Sequence, residues 1–148
     1  MRHRYRLALI VLTSVVGPGC GDDSADPVGP TILEPRAQPY VADVPVPADF
    51  TLDSEKSTHL YKEGRRQVTH FYMGREKPLA VKDFYRHVMP GTGWRLVDEK
   101  LANNIYSLTY KKDEERCDVR VDTVPAGWFK PGTRVQVIVR TPSLEPMP

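Results

Sequence analysis

The chain has 148 residues, with 21 Lys and Arg against 19 Asp and Glu, 14 prolines and two cysteines. That length suits one domain around one core, and no internal repeat argues for more. The charge is nearly balanced and the linear sequence shows no basic stripe, which argues against nucleic acid as a partner.

Residues 1–19 divide into a basic start (Arg2, Arg4, Arg6), a mostly apolar run from Leu7 to Val16, and Gly17-Pro18-Gly19. A helix needs about 20 apolar residues to span a bilayer. Ten is too short for that but fits the apolar region of a secretory signal peptide. The sequence here resembles a bacterial lipoprotein precursor. Gly19 and Cys20 match the last two positions of that family's cleavage motif, while Gly17 stands where an aliphatic residue is usual. The resemblance implies cleavage before Cys20 and acylation of its sulfur and new amino group. Other readings are cleavage at the same place by an ordinary signal peptidase, and a disulfide between Cys20 and Cys117. Two acyl chains suffice for stable anchoring without a transmembrane helix. Removal of 1–19 takes three arginines and no acid, leaving 18 basic against 19 acidic residues, a net of −1.

Residues 20–43 read as a tether, acidic at Asp22, Asp23, Asp26 and Glu34 and broken by Pro27, Pro30, Pro35 and Pro39. Such composition buries too little apolar surface to fold alone. Residues 44–148 read as a single domain. Val44-Pro45-Val46-Pro47 is expected as an extended lead-in along the domain's edge. Residues 58–63 and 67–73 read as two strands joined by a two-residue turn at Gly64-Arg65.

The clearest helix follows Pro78, a residue suited to a first helical turn. Val81, Phe84, Tyr85 and Val88 form one apolar stripe, and Asp83 precedes His87 by four residues in the favourable order. Met89-Pro90-Gly91-Thr92-Gly93 ends it. Alternation then marks four more strands. Trp94 and Leu96 begin the first, and Tyr106, Leu108 and Tyr110 lie in the second. Cys117, Val119 and Val121 mark the third, and Val135, Val137 and Val139 the fourth. The expected fold is α+β: an antiparallel sheet of five or six strands, ordered β-β-α-β-β-β-β, with one helix on one face and a charged face left wet. The stretches VPVPADF, FYRHVMPGTGWRLV and CDVRV resemble small bacterial envelope-lipoprotein domains of uncharacterised function over residues 44–140. The layout is also similar to helix-grip domains of outer-membrane assembly lipoproteins. These resemblances imply a fold and a location and bring no catalytic residue.

Few residues carry site chemistry. A turn at Gly64-Arg65 would set His59 directly across from His70, two imidazoles on one face able to hold zinc or copper. No third ligand has suitable spacing, so two partly exposed strand histidines is the stronger reading. Cys117, in the apolar register of its strand, reads as core rather than nucleophile. No G-x-S-x-G, H-E-x-x-H, phosphate-binding glycine loop or C-x-x-C occurs, so no catalytic residue and no cofactor is expected. Trp128 and Phe129 sit in a Gly/Pro-bounded loop and either cap the core or contact a partner. Together these features read as a non-enzymatic binding or assembly module on the outer side of a bacterial envelope membrane. It would be held by lipid on Cys20, with an envelope protein as candidate partner. Alternatives are a small hydrolase or metal-dependent enzyme with an unrecognised site, and a structural subunit pairing through its sheet.

Overall fold

Alternating apolar residues dictate a sheet with one dry face, and the computed structural model, which describes residues 32–124 and 132–142, shows that sheet. The elements are β1 (Thr51–Leu52), β2 (Thr58–Lys62), β3 (Arg65–Gly74), α1 (Pro78–Val88), a 3-10 turn (Met89–Thr92), β4 (Arg95–Ala102), β5 (Ile105–Lys112), β6 (Glu115–Val124) and β7 (Gly132–Arg140). The strands form one antiparallel sheet in the order β1-β3-β7-β6-β5-β4, and β2 also pairs with β3. The α+β class therefore holds, with seven strands rather than five or six. The addition is β1, two residues opposite Tyr72 and Met73 that are too short to show an alternating pattern.

Cross-strand register puts Val68, His70 and Tyr72 of β3 beside Val139, Val137 and Val135 of β7. Those valines in turn face Cys117, Val119 and Val121 of β6, which face Tyr110, Leu108 and Tyr106 of β5. All but Tyr106 are buried, and Tyr106 packs against their cluster. The helix covers this face through Val81, Phe84 and Tyr85, running over β5 and β6. Each such large apolar side chain contributes about 1.5–3 kcal/mol on burial. Pro78 takes the first helical position, as its missing N–H allows. Asp83 does not pair with His87; it pairs with its neighbour Lys82 at 2.5 Å. Gly93, at φ +90°, lets the chain leave the 3-10 turn, and β4 starts after Trp94 rather than at it.

The lead-in differs from the expected edge strip. Val41, Val44, Val46 and Phe50 are buried core residues. The described part of the stretch read as tether, 32–43, carries folded contacts. Pro35 bridges Pro47, Arg36 N–H donates to the Val46 carbonyl, and Val44 N–H donates to that of Val41. These contacts join residues three to twelve positions apart within the lead-in itself, and composition alone does not reveal them. No helix among the described residues is long and apolar enough to cross a membrane.

Candidate binding site

Beneath the helix, hydroxyls and a thiol share the apolar interior. Tyr85 and Tyr110 are completely buried, and neither hydroxyl has a hydrogen-bond partner among the described residues. Burial pushes the phenol of Tyr85 well up, with Tyr72, Cys117 and Tyr110 adding to it. Cys117 is a free thiol raised by burial and then by Asp118, the opposite of what a nucleophile needs.

The histidines meet, though not as the turn at Gly64-Arg65 implied. The turn residues are Glu63 and Gly64, both at positive φ, so Lys62 faces Arg65 and His59 faces Val68. A register shift of two positions keeps the same face. His59 and His70 therefore lie diagonally, ring centroids 5.8 Å apart. His70 is buried, and its Nδ1 sits 2.9 Å from the Tyr72 hydroxyl. Burial, and secondarily His59, lower its pKa. No group of three or more His, Cys, Asp or Glu side chains able to hold a metal occurs among the described residues.

A charged knot lies at the opposite end of β3. The Arg66 guanidinium donates to both carboxylate oxygens of Asp43, at 2.6 and 2.7 Å, and to Glu115. Lys112 Nζ donates to Asp43 at 2.8 Å, and Trp94 Nε1 donates to the Asp43 carbonyl. Burial alone would raise the Asp43 pKa, but hydrogen bonds and charge from Arg66 and Lys112 outweigh it and hold it at about 2. This knot ties the lead-in to the sheet and reads as structural.

No described element covers the sheet's other face, and there register assembles what the linear sequence scatters. Arg95 of β4 pairs with Lys111 of β5, Lys111 with Arg116 of β6, and Arg116 with Arg140 of β7. Four exposed cations thus stand in one row across four strands. At about 4.8 Å per strand the row spans roughly 14 Å. Like charges directly opposite one another are destabilising. One carboxylate, Asp118, relieves part of this, accepting from Arg116 at 3.0 Å and from Arg140 at 3.3 Å. Both arginine side chains still keep about half their surface in water (53% and 55%). Beside the row lies a cleft of roughly 400 Å³ where Lys100 and Arg120 join Arg116 and Arg140 around Asp98 and Asp118. The alternation of Arg116, Asp118 and Arg120 marked a wet face, but which cations share a row follows only from strand pairing. Cys20, Trp128 and Phe129 lie outside the described residues.

One helix laid across an antiparallel sheet, with the opposite face open, is the architecture of a helix-grip-like module. Residues 54–133 match the family described as START domain-like, and the chain belongs to that family. The expected helix-grip likeness holds at that level. A START-like domain is a ligand-binding kind of module, compatible with a non-enzymatic role. No curated protein and no solved structure matches the chain.

Proposed function

We propose that the protein is a non-enzymatic binding module, held at a bacterial envelope membrane by lipid on Cys20, that takes an anionic envelope partner on its uncovered sheet face. The observation that carries the binding reading is the row Arg95–Lys111–Arg116–Arg140. Four cations side by side cost stability, and among the described residues one carboxylate offsets them. A site that breaks a local rule with no structural gain is where function is expected. Guanidinium groups with half their surface in water keep donors for carboxylate or phosphate oxygens. The apolar run, Gly19-Cys20 and the acidic stretch after it support the tether.

The test is a crosslinked pull-down of tagged full chain from its native envelope, wild type against Arg116→Glu/Arg140→Glu. Wild type should bring down an acidic partner in a salt-sensitive manner, and the double variant should lose it while keeping its thermal midpoint. Equal recovery by both would remove the face from the mechanism. Mass spectrometry of Cys20 from the same material tests the anchor, which a bare thiol would rule out.

A further inference from the structure

The sheet has two edges, and they are defended differently. Natural edge strands discourage added strands with charges and bulges. The β4 edge has both: its sequence RLVDEKLA carries Arg95, Asp98, Glu99 and Lys100, and its register shifts between Leu96 and Asp98. The β2 edge has no bulge and a single charge. Its sequence THLYK is exposed throughout, its register is continuous, its one full charge is Lys62 at the end, and Leu60 and Tyr61 stand 59% and 68% exposed.

Backbone direction identifies the groups available on that edge. Phe71 of β3 uses its N–H on Ser57 Oγ and its carbonyl on Asp53 N–H, whereas Arg66 uses both on Thr141. Odd-numbered residues of β3 therefore address the β2 side. Their β2 counterparts Thr58, Leu60 and Lys62, opposite Thr69, Gln67 and Arg65, spend their backbone groups on β3. The N–H and carbonyl groups of His59 and Tyr61 point outward.

We infer that β2 pairs antiparallel with β2 of a second copy of this chain, across a two-fold axis at Leu60. This register is self-complementary. His59 faces Tyr61 of the other copy and exchanges both backbone hydrogen bonds with it, as does the symmetric pair, giving four in all. Leu60 meets Leu60 on the open face in the close, non-hydrogen-bonded position, and Thr58 faces Lys62, so no like charges oppose. The β4 edge has no such match, because its central Asp98 and Glu99 would face acids of their own kind. Leu60 also pairs with Gln67, which pairs with Arg140. Pairing at Leu60 thus places the cationic rows of two copies in one line about 50 Å long. Self-association stands or falls independently of what that line binds.

The test is disulfide trapping of full-length chain in its own membranes, with Leu60→Cys compared with Asp98→Cys on the guarded edge. Two cysteines in the close cross-strand position approach disulfide geometry. Leu60→Cys should give a reducible dimer several-fold more abundant than Asp98→Cys. In mixed expression, Thr58→Cys should crosslink to Lys62→Cys and neither to itself. Continued protection of Cys117 from thiol reagents reports that each variant is folded. Equal dimer from Leu60→Cys and Asp98→Cys would overturn the inference, as would failure of the Thr58/Lys62 mixture. An adduct of Leu60→Cys at another mass would assign the edge to a different protein and overturn it equally.

Discussion

Tyr85 and Tyr110 show how a side chain can pack well and still cost stability. Their rings fill the space between helix and sheet, while their hydroxyls, stripped of water, have no partner among the described residues. A buried hydroxyl without a hydrogen bond costs about 1–3 kcal/mol, and removing it at constant shape is nearly neutral or favourable. Tyr85→Phe should therefore leave unfolding free energy unchanged or raise it by up to about 1 kcal/mol, whereas Tyr85→Ala should lower it by about 3–5 kcal/mol. Urea titration of both variants checks the pair, and a large loss in Tyr85→Phe would show that the hydroxyl has a partner. His70 makes a different residue-scale prediction. Burial and His59 depress its pKa below the ordinary 6.5, so the unfolded chain takes up a proton before the folded one does. Its effect on stability is absent above pH 6.5 and destabilising as pH falls through that value, levelling once the folded imidazole is protonated. Thermal midpoints should drop below pH 6.5 in wild type and drop less in His70→Gln. Identical profiles would place the titration elsewhere.

At the scale of elements, a periodic pattern that fills one helix or strand is legible in the sequence, whereas the exact turn position and a single i,i+4 pair such as Asp83–His87 are not. The Val81-Phe84-Tyr85 stripe and the alternation of Cys117, Val119 and Val121 identify a helix and a strand because each pattern lies within its own element. The first hairpin shows the limit. Gly64 invited the first turn position, yet the chain puts Glu63 there at φ +53°, a conformation that L side chains adopt at a cost. Asparagine tolerates that region, as Asn103 and Asn104 show at φ +50° and +60° in the β4–β5 turn. Glu63→Asn should therefore raise stability by about 0.5–1 kcal/mol without altering register. Chemical denaturation supplies the value, and loss of stability would mean that Glu63 makes a contact worth more than its strain. The same locality explains why the cationic row was only partly legible: Arg116 and Arg140 are 24 positions apart in sequence and adjacent only once β6 pairs with β7.

For the whole molecule, the informative feature is that a stretch with the composition of a linker closes the fold. Prolines and acids from Pro27 to Pro47 look unable to pack. But Val41, Val44 and Val46 enter the core, and Asp43 between them is gripped by Arg66 from β3 and Lys112 from β5. Arg66 also holds Glu115 of β6 and lies over the Trp94 ring, so one guanidinium joins three parts of the chain. Losing one member of such a knot leaves another charge unmatched, which costs more than a surface pair would. Its pH dependence has a definite sign. Asp43 titrates at about 2 in the fold against 3.8 for an unperturbed aspartate, so its stabilisation is complete above pH 4 and disappears as pH falls toward 2. A shift of that size corresponds to about 2 kcal/mol. Stability should thus fall in two separate windows, the first below pH 6.5 from His70 and the second below pH 4 from Asp43. Asp43→Asn should flatten the second and leave the first. If Asp43→Asn instead unfolds in acid like wild type, the lead-in is held by its buried valines alone and the charged knot adds nothing to the closure.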